Sequence, residues 1–288
     1  MMNIIPDDWA AKISRLSLST KSKLRGHHKG SHRSKRFGSS LDFSDFREYH
    51  VGDDVRQIDW NVFARTEKHF IKRFLDEQEM RVHILLDSTK SMGGEQKWTF
   101  ARQLAIALGL LVLNKDDRLT FSAVDGSRDS FFRRKGSTYK KPYIDYVSRQ
   151  SANFHGSFAE HAALRIPKDV TVLFIITDGL EPIENWEPFL RRLPRHAGDI
   201  RLLLVETEEE IDPDYRGDLR MIDMETDLKV NVTVSHRVLD EYREKREKHQ
   251  AQLESLCRRY GVRLMPVNSN DGLMHVMFHQ LLRANWVH

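Results

Sequence analysis

The chain has 288 residues, 40% of them apolar and 31% charged, with a formal net charge of +4; that length buries a full core in one large domain or two small ones. Its longest apolar run, residues 104–113, reaches about half of what a membrane-spanning helix needs, and the first residues lack the charged-then-apolar pattern of a signal peptide. The single cysteine, Cys257, excludes an internal disulfide and a multi-thiolate zinc site, and fits a reducing cytoplasm.

Residues 1–40 read as a basic, weakly ordered arm. Positions 11–36 carry nine Lys or Arg and no acid, with His27, His28 and His32 among them. Such a run can bind an anionic surface, but no aromatics are interleaved to stack on bases, which argues against nucleic acid. A short helix is expected at 8–18, and order is expected to begin near Leu41. Residues 41–67 mix aromatics with charges, and over 41–60 six acids, Asp42, Asp45, Glu48, Asp53, Asp54 and Asp59, are set against Arg47 and Arg56. Two readings stand: a loop system braced by internal ion pairs, or a docking surface presenting Asp53, Asp54, Arg56, Asp59, Trp60 and Arg65. A strand with mixed alternation at 69–75 belongs at a sheet edge.

From residue 81 strands and helices alternate. Strands are expected at 81–87, 119–124, 170–177, 200–206 and 262–267, with a short edge strand at 130–134. Helices are expected at 98–114, 138–149, from 157 to about 164, and at 186–193, 239–260 and 272–284. The helix at 98–114 is apolar almost all round and must lie deep in the fold. Residues 218–224 and 229–234 alternate around a polar turn at 225–227, a hairpin inserted at about 216–236. Such an order gives an α/β fold, a mostly parallel sheet with helices on both faces. The main domain is 79–288, and 41–78 is a separate segment packing on it.

Two apolar strands end on acids. Val82-His83-Ile84-Leu85-Leu86-Asp87 runs into Ser88-Thr89-Lys90-Ser91, and Val170 to Thr177 runs into Asp178-Gly179. In parallel sheets ligands bind beyond the carboxyl ends of strands. Asp87, Thr89 and Ser91, with Ser157 from the Gly156 loop and Asp178, make a set of oxygens that suits a hard divalent cation such as magnesium and leaves a coordination position for a protein ligand's acidic side chain. Taken singly, Asp87 reads equally well as a helix cap, and Asp178-Gly179 reads first as an ordinary turn after a buried strand.

Asp87-Ser88-Thr89-Lys90-Ser91 resembles the D-x-[ST]-x-S signature of von Willebrand factor A-like domains, whose metal-ion-dependent adhesion site (MIDAS) binds magnesium or manganese. Ser157 stands where those domains usually have threonine, and Asp178 matches their later aspartate. Phe46-Arg47-Glu48-Tyr49, with the run from Gly52 to Trp60 and Ala64-Arg65, looks like the hallmark of the bacterial family called domain of unknown function 58. The resemblance covers about residues 30–284. It implies a von Willebrand factor A-like (Rossmann-like) fold with a family-specific N-terminal segment, and a MoxR-type AAA+ ATPase as partner. The expected role is a non-catalytic, metal-dependent interaction module in the cytoplasm, an adaptor or co-chaperone. One alternative is a metal-dependent phosphatase or hydrolase with Asp87 as nucleophile, against which Thr89 stands where phosphoaspartate enzymes carry a second aspartate. The other is nucleic-acid binding through the basic arm.

Overall fold

Five parallel strands of the larger of two units end toward one edge of a six-stranded sheet, and that edge holds the residues of interest. The computed structural model describes residues 4–20, 29–125, 131–215, 217–222 and 229–288. Residues 21–28 of the basic arm and the hairpin turn at 225–227 lie outside the described residues. The chain divides into Leu24–Met80 and a larger unit that joins Met1–Lys23 to Arg81–His288.

The larger unit begins with helix α1 (Asp7–Ile13), shorter than the helix expected at 8–18. The smaller unit holds β1 (Lys29–Glu48), helix α2 (Trp60–Thr66) and β2 (Phe70–Gln78), and the two strands pair antiparallel with several irregularities of register. Strand structure therefore starts at Lys29, ahead of the expected onset at Leu41, in a stretch read as weakly ordered. A ladder draws on backbone N–H and C=O groups, so a basic, serine-rich composition gave no sign of it.

The larger unit continues with β3 (Arg81–Asp87), α3 (Glu95–Asn114), β4 (Arg118–Val124), β5 (Phe132–Lys135), α4 (Lys140–Ser148) and α5 (Phe158–Ala162). Next come β6 (Val170–Thr177), α6 (Ile183–Arg192), β7 (Ala197–Glu206) and the single turn α7 (Glu208–Ile211). The hairpin strands β8 (Gly217–Ile222) and β9 (Lys229–Val234), the long α8 (His236–Arg259) and β10 (Val262–Asn268) follow. A closing helical segment has a π-helical turn at Val276–Gln280. None of the described helices is long and apolar enough to cross a membrane.

The six-stranded sheet has the order β10-β7-β6-β3-β4-β5 and is parallel except for β5, the expected mostly parallel, Rossmann-like α/β arrangement. The chain winds from β3 outward to β4, then returns to the other side of β3 at β6. That reversal opens a crevice between the carboxyl ends of β3 and β6, where open α/β sheets bind ligands. On one face Leu85, Leu173, Ile175 and Leu202 pack against Phe158, Trp186, Phe189, Leu253 and Cys257 of α5, α6 and α8. On the other, Ile84 is paired in register with Phe121 and Phe174, and these meet Tyr143 of α4 and Trp286. Helix α3 is buried along nearly its whole length, as its apolar circumference required.

His83, wholly buried on β3, places Nε2 3.1 Å from Ser122 Oγ. Burial, the largest influence, pushes its pKa down from 6.5 to about 3. The unfolded chain takes up this proton near 6.5 and the folded chain only near 3, so the unfolded state binds more protons in between. Stability from this group is therefore lost as pH falls through that window, by about 2 kcal/mol at pH 5. Urea titrations at pH 7 and pH 5 are expected to give His83→Leu a correspondingly smaller loss on acidification than the wild type. Equal losses in the two proteins contradict the assignment.

Candidate metal centre

β3 is buried from Val82 onward because strands flank it on both edges and helices cover both faces. Its last side chain, Asp87, is 2% exposed. Asp87 Oδ1 accepts hydrogen bonds from Thr89 N at 2.9 Å and Thr89 Oγ1 at 2.7 Å, and Oδ2 accepts from Thr177 Oγ1 at 2.6 Å. Thr89 Oγ1 lies 3.0 Å from Ser91 Oγ. Ser88 turns the other way and donates to Val124 O of β4. Asp87 does not cap a helix: the residue ahead of α3 is Gly94. Burial first, and then the neighbouring Asp178 carboxylate, push the Asp87 carboxyl well above the ordinary carboxylate range.

Asp178 follows β6 and is 6% exposed. Its Oδ1 accepts from Leu180 N, and its Oδ2 takes the ammonium of Lys97 at 3.0 Å. Gly179 makes the turn at φ +69°, where a Cβ would stand 2.4 Å from Leu204 Cδ1, so the chain bends here without a side chain. Lys97, in the first turns of α3, also donates to Glu210 Oε1 at 2.6 Å and to the Ser91 carbonyl at 3.3 Å. Burial works to lower its pKa, but Asp178 and Glu210 outweigh it and hold the ammonium above its usual value.

The loop before α5 is fastened to the loop after β3. Phe154 N donates to Ser88 O at 3.0 Å, and Lys90 N donates to Phe154 O at 3.2 Å. Ser157 caps α5 by accepting from Glu160 N, and its hydroxyl donates to Glu181 Oε2 at 2.8 Å. The fold thus joins Asp87 to Ser91 through the Thr89 hydroxyl and links Asp178 to Ser91 through Lys97. Ser157 lies on the adjoining loop with its hydroxyl committed to Glu181.

Sequence reading missed Thr177, Lys97, Glu181 and Glu210. Thr177 carried a weak signal as the residue beside Asp178 at a strand end. Lys97 and Glu210 carried none, since a charged residue near a helix start reads as solvated. The expected docking residues all lie in the smaller unit. Asp53 pairs with Arg47 at 2.8 Å, Asp54 pairs with Arg56 at 2.8 Å and caps the turn Val55–Gln57, and Asp59 caps α2. Trp60 is 59% exposed, and Arg65 is exposed as well.

Among the described residues no group of three His, Cys, Asp or Glu could hold a metal by itself, so hydroxyls would have to complete a ligand set. Hard divalent cations take such neutral oxygens alongside carboxylates. Asp87, Thr89 and Ser91 present one carboxylate and two hydroxyls linked in a row through Thr89, and the buried Asp87 beside Asp178 is a charge that a cation would relieve. The residues present fit magnesium or manganese.

Residues 45–252 match the family described as "Protein of unknown function DUF58". Uncharacterized protein Rv1480 of Mycobacterium tuberculosis and uncharacterized protein Mb1516 of Mycobacterium bovis are each 24% identical over 271 residues, covering 91% of this chain and 85% of theirs. A crystal structure of the conserved hypothetical protein BatB from Bacteroides thetaiotaomicron is similar at 14% identity and a TM-score of 0.40. It covers 72% of this chain and 98% of that one, a likeness from which no functional argument follows.

Proposed function

The chain belongs to the DUF58 family of proteins of unknown function, and from that premise we propose that it is a metal-dependent protein-interaction module, with no catalytic step assigned to it. The observation that carries this reading is the row of oxygens at the switch point of the sheet, beside Asp178, in which the Thr89 hydroxyl joins Asp87 to the Ser91 hydroxyl. The resemblance of this segment to a MIDAS supports the same reading. Asp87, Thr89 and Ser91 would hold the ion, with Asp178 and Ser157 as further ligands from the neighbouring loops. A bound magnesium or manganese ion would offer an open coordination position to a partner's carboxylate.

Thr177 and the Thr89 backbone orient the Asp87 carboxylate, so its lone pairs are aimed before any ligand arrives. The partner is a MoxR-type AAA+ ATPase, which the chain serves as adaptor or co-chaperone in the cytoplasm. On the smaller unit, Trp60 and Arg65 of α2 are exposed contacts; Asp59 caps that helix, and the pairs made by Asp53, Asp54 and Arg56 brace the turn ahead of it. Asp87→Ala is expected to lower affinity for Mn2+ by at least about 10–100-fold, the range that loss of even an outer partner costs a metal site. It should also abolish magnesium-dependent retention of the ATPase in a pull-down, while circular dichroism stays that of the wild type. Unchanged affinity and retention in a folded variant would sink the reading.

A further inference from the structure

Lys97 is the charged side chain that this reading leaves without a role. Its side chain is 2% exposed, and its ammonium lies between two carboxylates, 3.0 Å from Asp178 Oδ2 and 2.6 Å from Glu210 Oε1. The third contact is the carbonyl of Ser91, a residue of the candidate centre itself. We infer that Lys97 is a resident cation that holds Asp178 while the centre is metal-free and yields it when a divalent ion binds, remaining on Glu210. The inference rests on the metal reading above and deepens it, because it names the chain's own competitor for the ion.

The two berths differ in the way such a transfer requires. Asp178 is nearly inaccessible, so an ammonium paired with it alone would have no second partner when displaced. Glu210 is 32% exposed and is fixed independently of Lys97. It belongs to a reciprocal cap of α7, in which Glu210 N donates to Thr207 Oγ1 and Glu210 Oε2 accepts from Thr207 N at 2.9 Å. Its other oxygen, Oε1, is the one that meets Lys97. A displaced ammonium thus keeps a charged partner, which a buried cation needs. Ser91, Lys97 and Glu210 also line one groove of about 790 Å³, so an ion has a route to this side of the centre. An ammonium and a divalent cation repel each other at one carboxylate, and the ion therefore binds against Lys97.

Two substitutions should then act in opposite directions. Lys97→Met removes the competitor, and Mn2+ titrated alone by calorimetry, with the free ion followed by its spin resonance, is expected to bind about 10-fold tighter, within the usual range of coupling between sites. Glu210→Gln removes the second berth, confines the ammonium to Asp178, and is expected to weaken Mn2+ by a similar factor. Lys97→Arg keeps the charge and should stay weaker than Lys97→Met. If Lys97→Met does not fold without metal, Glu210→Gln and Lys97→Arg carry the test, and rescue of the folded state by Mn2+ counts in favour. Mn2+ binding equal to the wild type in Lys97→Met and Glu210→Gln overturns the role of Lys97 and leaves the metal centre standing. No binding by the wild type or any variant overturns both together.

Discussion

Exchanging Arg201 for methionine is expected to lower the free energy of unfolding by about 3–5 kcal/mol, the usual cost of removing one partner from a buried ion pair. Arg201, on β7, is fully buried. Its guanidinium donates to Asp199 at 2.8 Å, to the Trp286 carbonyl at 3.0 Å and to the Ser19 carbonyl. Its plane also covers the rings of Phe174 and Trp286, with centroids at 5.1 and 5.3 Å. Asp199 takes a second cation, Arg263, at 2.6 Å, and the Thr20 hydroxyl at 2.9 Å. Around this knot the two ends of the larger unit are laced together. Ser17 and His288 exchange backbone hydrogen bonds, and Ser19 N donates to Trp286 O.

Methionine fills much of the volume but takes the guanidinium donor from the Ser19 carbonyl, leaves the Trp286 carbonyl with Ser19 N alone, and leaves Asp199 with one cation in place of two. Chemical denaturation read by tryptophan fluorescence checks this. A change below about 1 kcal/mol, the size expected of an exposed pair, means that the knot contributes little. Arg201→Lys should recover only part of the loss, because an ammonium cannot reproduce the fork geometry of three separate acceptors.

The second large effect is expected at Gly109 in α3. Alanine in place of glycine inside a helix ordinarily stabilises by about 1 kcal/mol. At this position the added Cβ would stand 2.1 Å from Cε1 and 2.5 Å from Cζ of Tyr143. That ring has no free space: Tyr143 is fully buried between α3 and the sheet, packs against Phe121 and Phe132, and donates its hydroxyl to Ala105 O at 2.8 Å. Moving the ring breaks that bond and disturbs both neighbours. Gly109→Ala should therefore destabilise, by about 1–3 kcal/mol or more as overpacked cores do. Thermal melts would show it, and Tyr143→Leu in the same chain should recover part of the loss by making room. A melting temperature at or above that of the wild type refutes the close approach of α3 and α4.

Both effects arise where residues distant in sequence are pressed together, and the same division runs through the candidate centre. The strands ending on Asp87 and before Asp178 were legible because a parallel strand buried on both faces reads as a continuous apolar run. The depth of α3 was legible from its apolar circumference, and the hairpin from alternation around a polar turn. The oxygens of Asp87, Thr89 and Ser91 were legible because they lie within five residues of one another.

The partners that give those oxygens their chemistry were not legible. Thr177 meets Asp87 from 90 residues away, and Lys97 meets Asp178 across 81 residues and Glu210 across 113. Nothing local marks Lys97 as buried or Glu210 as the partner of a buried ammonium. The strand that begins at Lys29 was hidden for a related reason, since its ladder with β2 is a backbone arrangement to which composition contributes little. What the sequence determined by itself were the alternation of elements, the two strand ends and their oxygen-bearing side chains, because periodicity and short spacing are local properties. Only the tertiary structure decided that these oxygens share their crevice with an ammonium. Which charges become neighbours depends on the order in which strands join the sheet, and that order is set by burial summed over the whole chain.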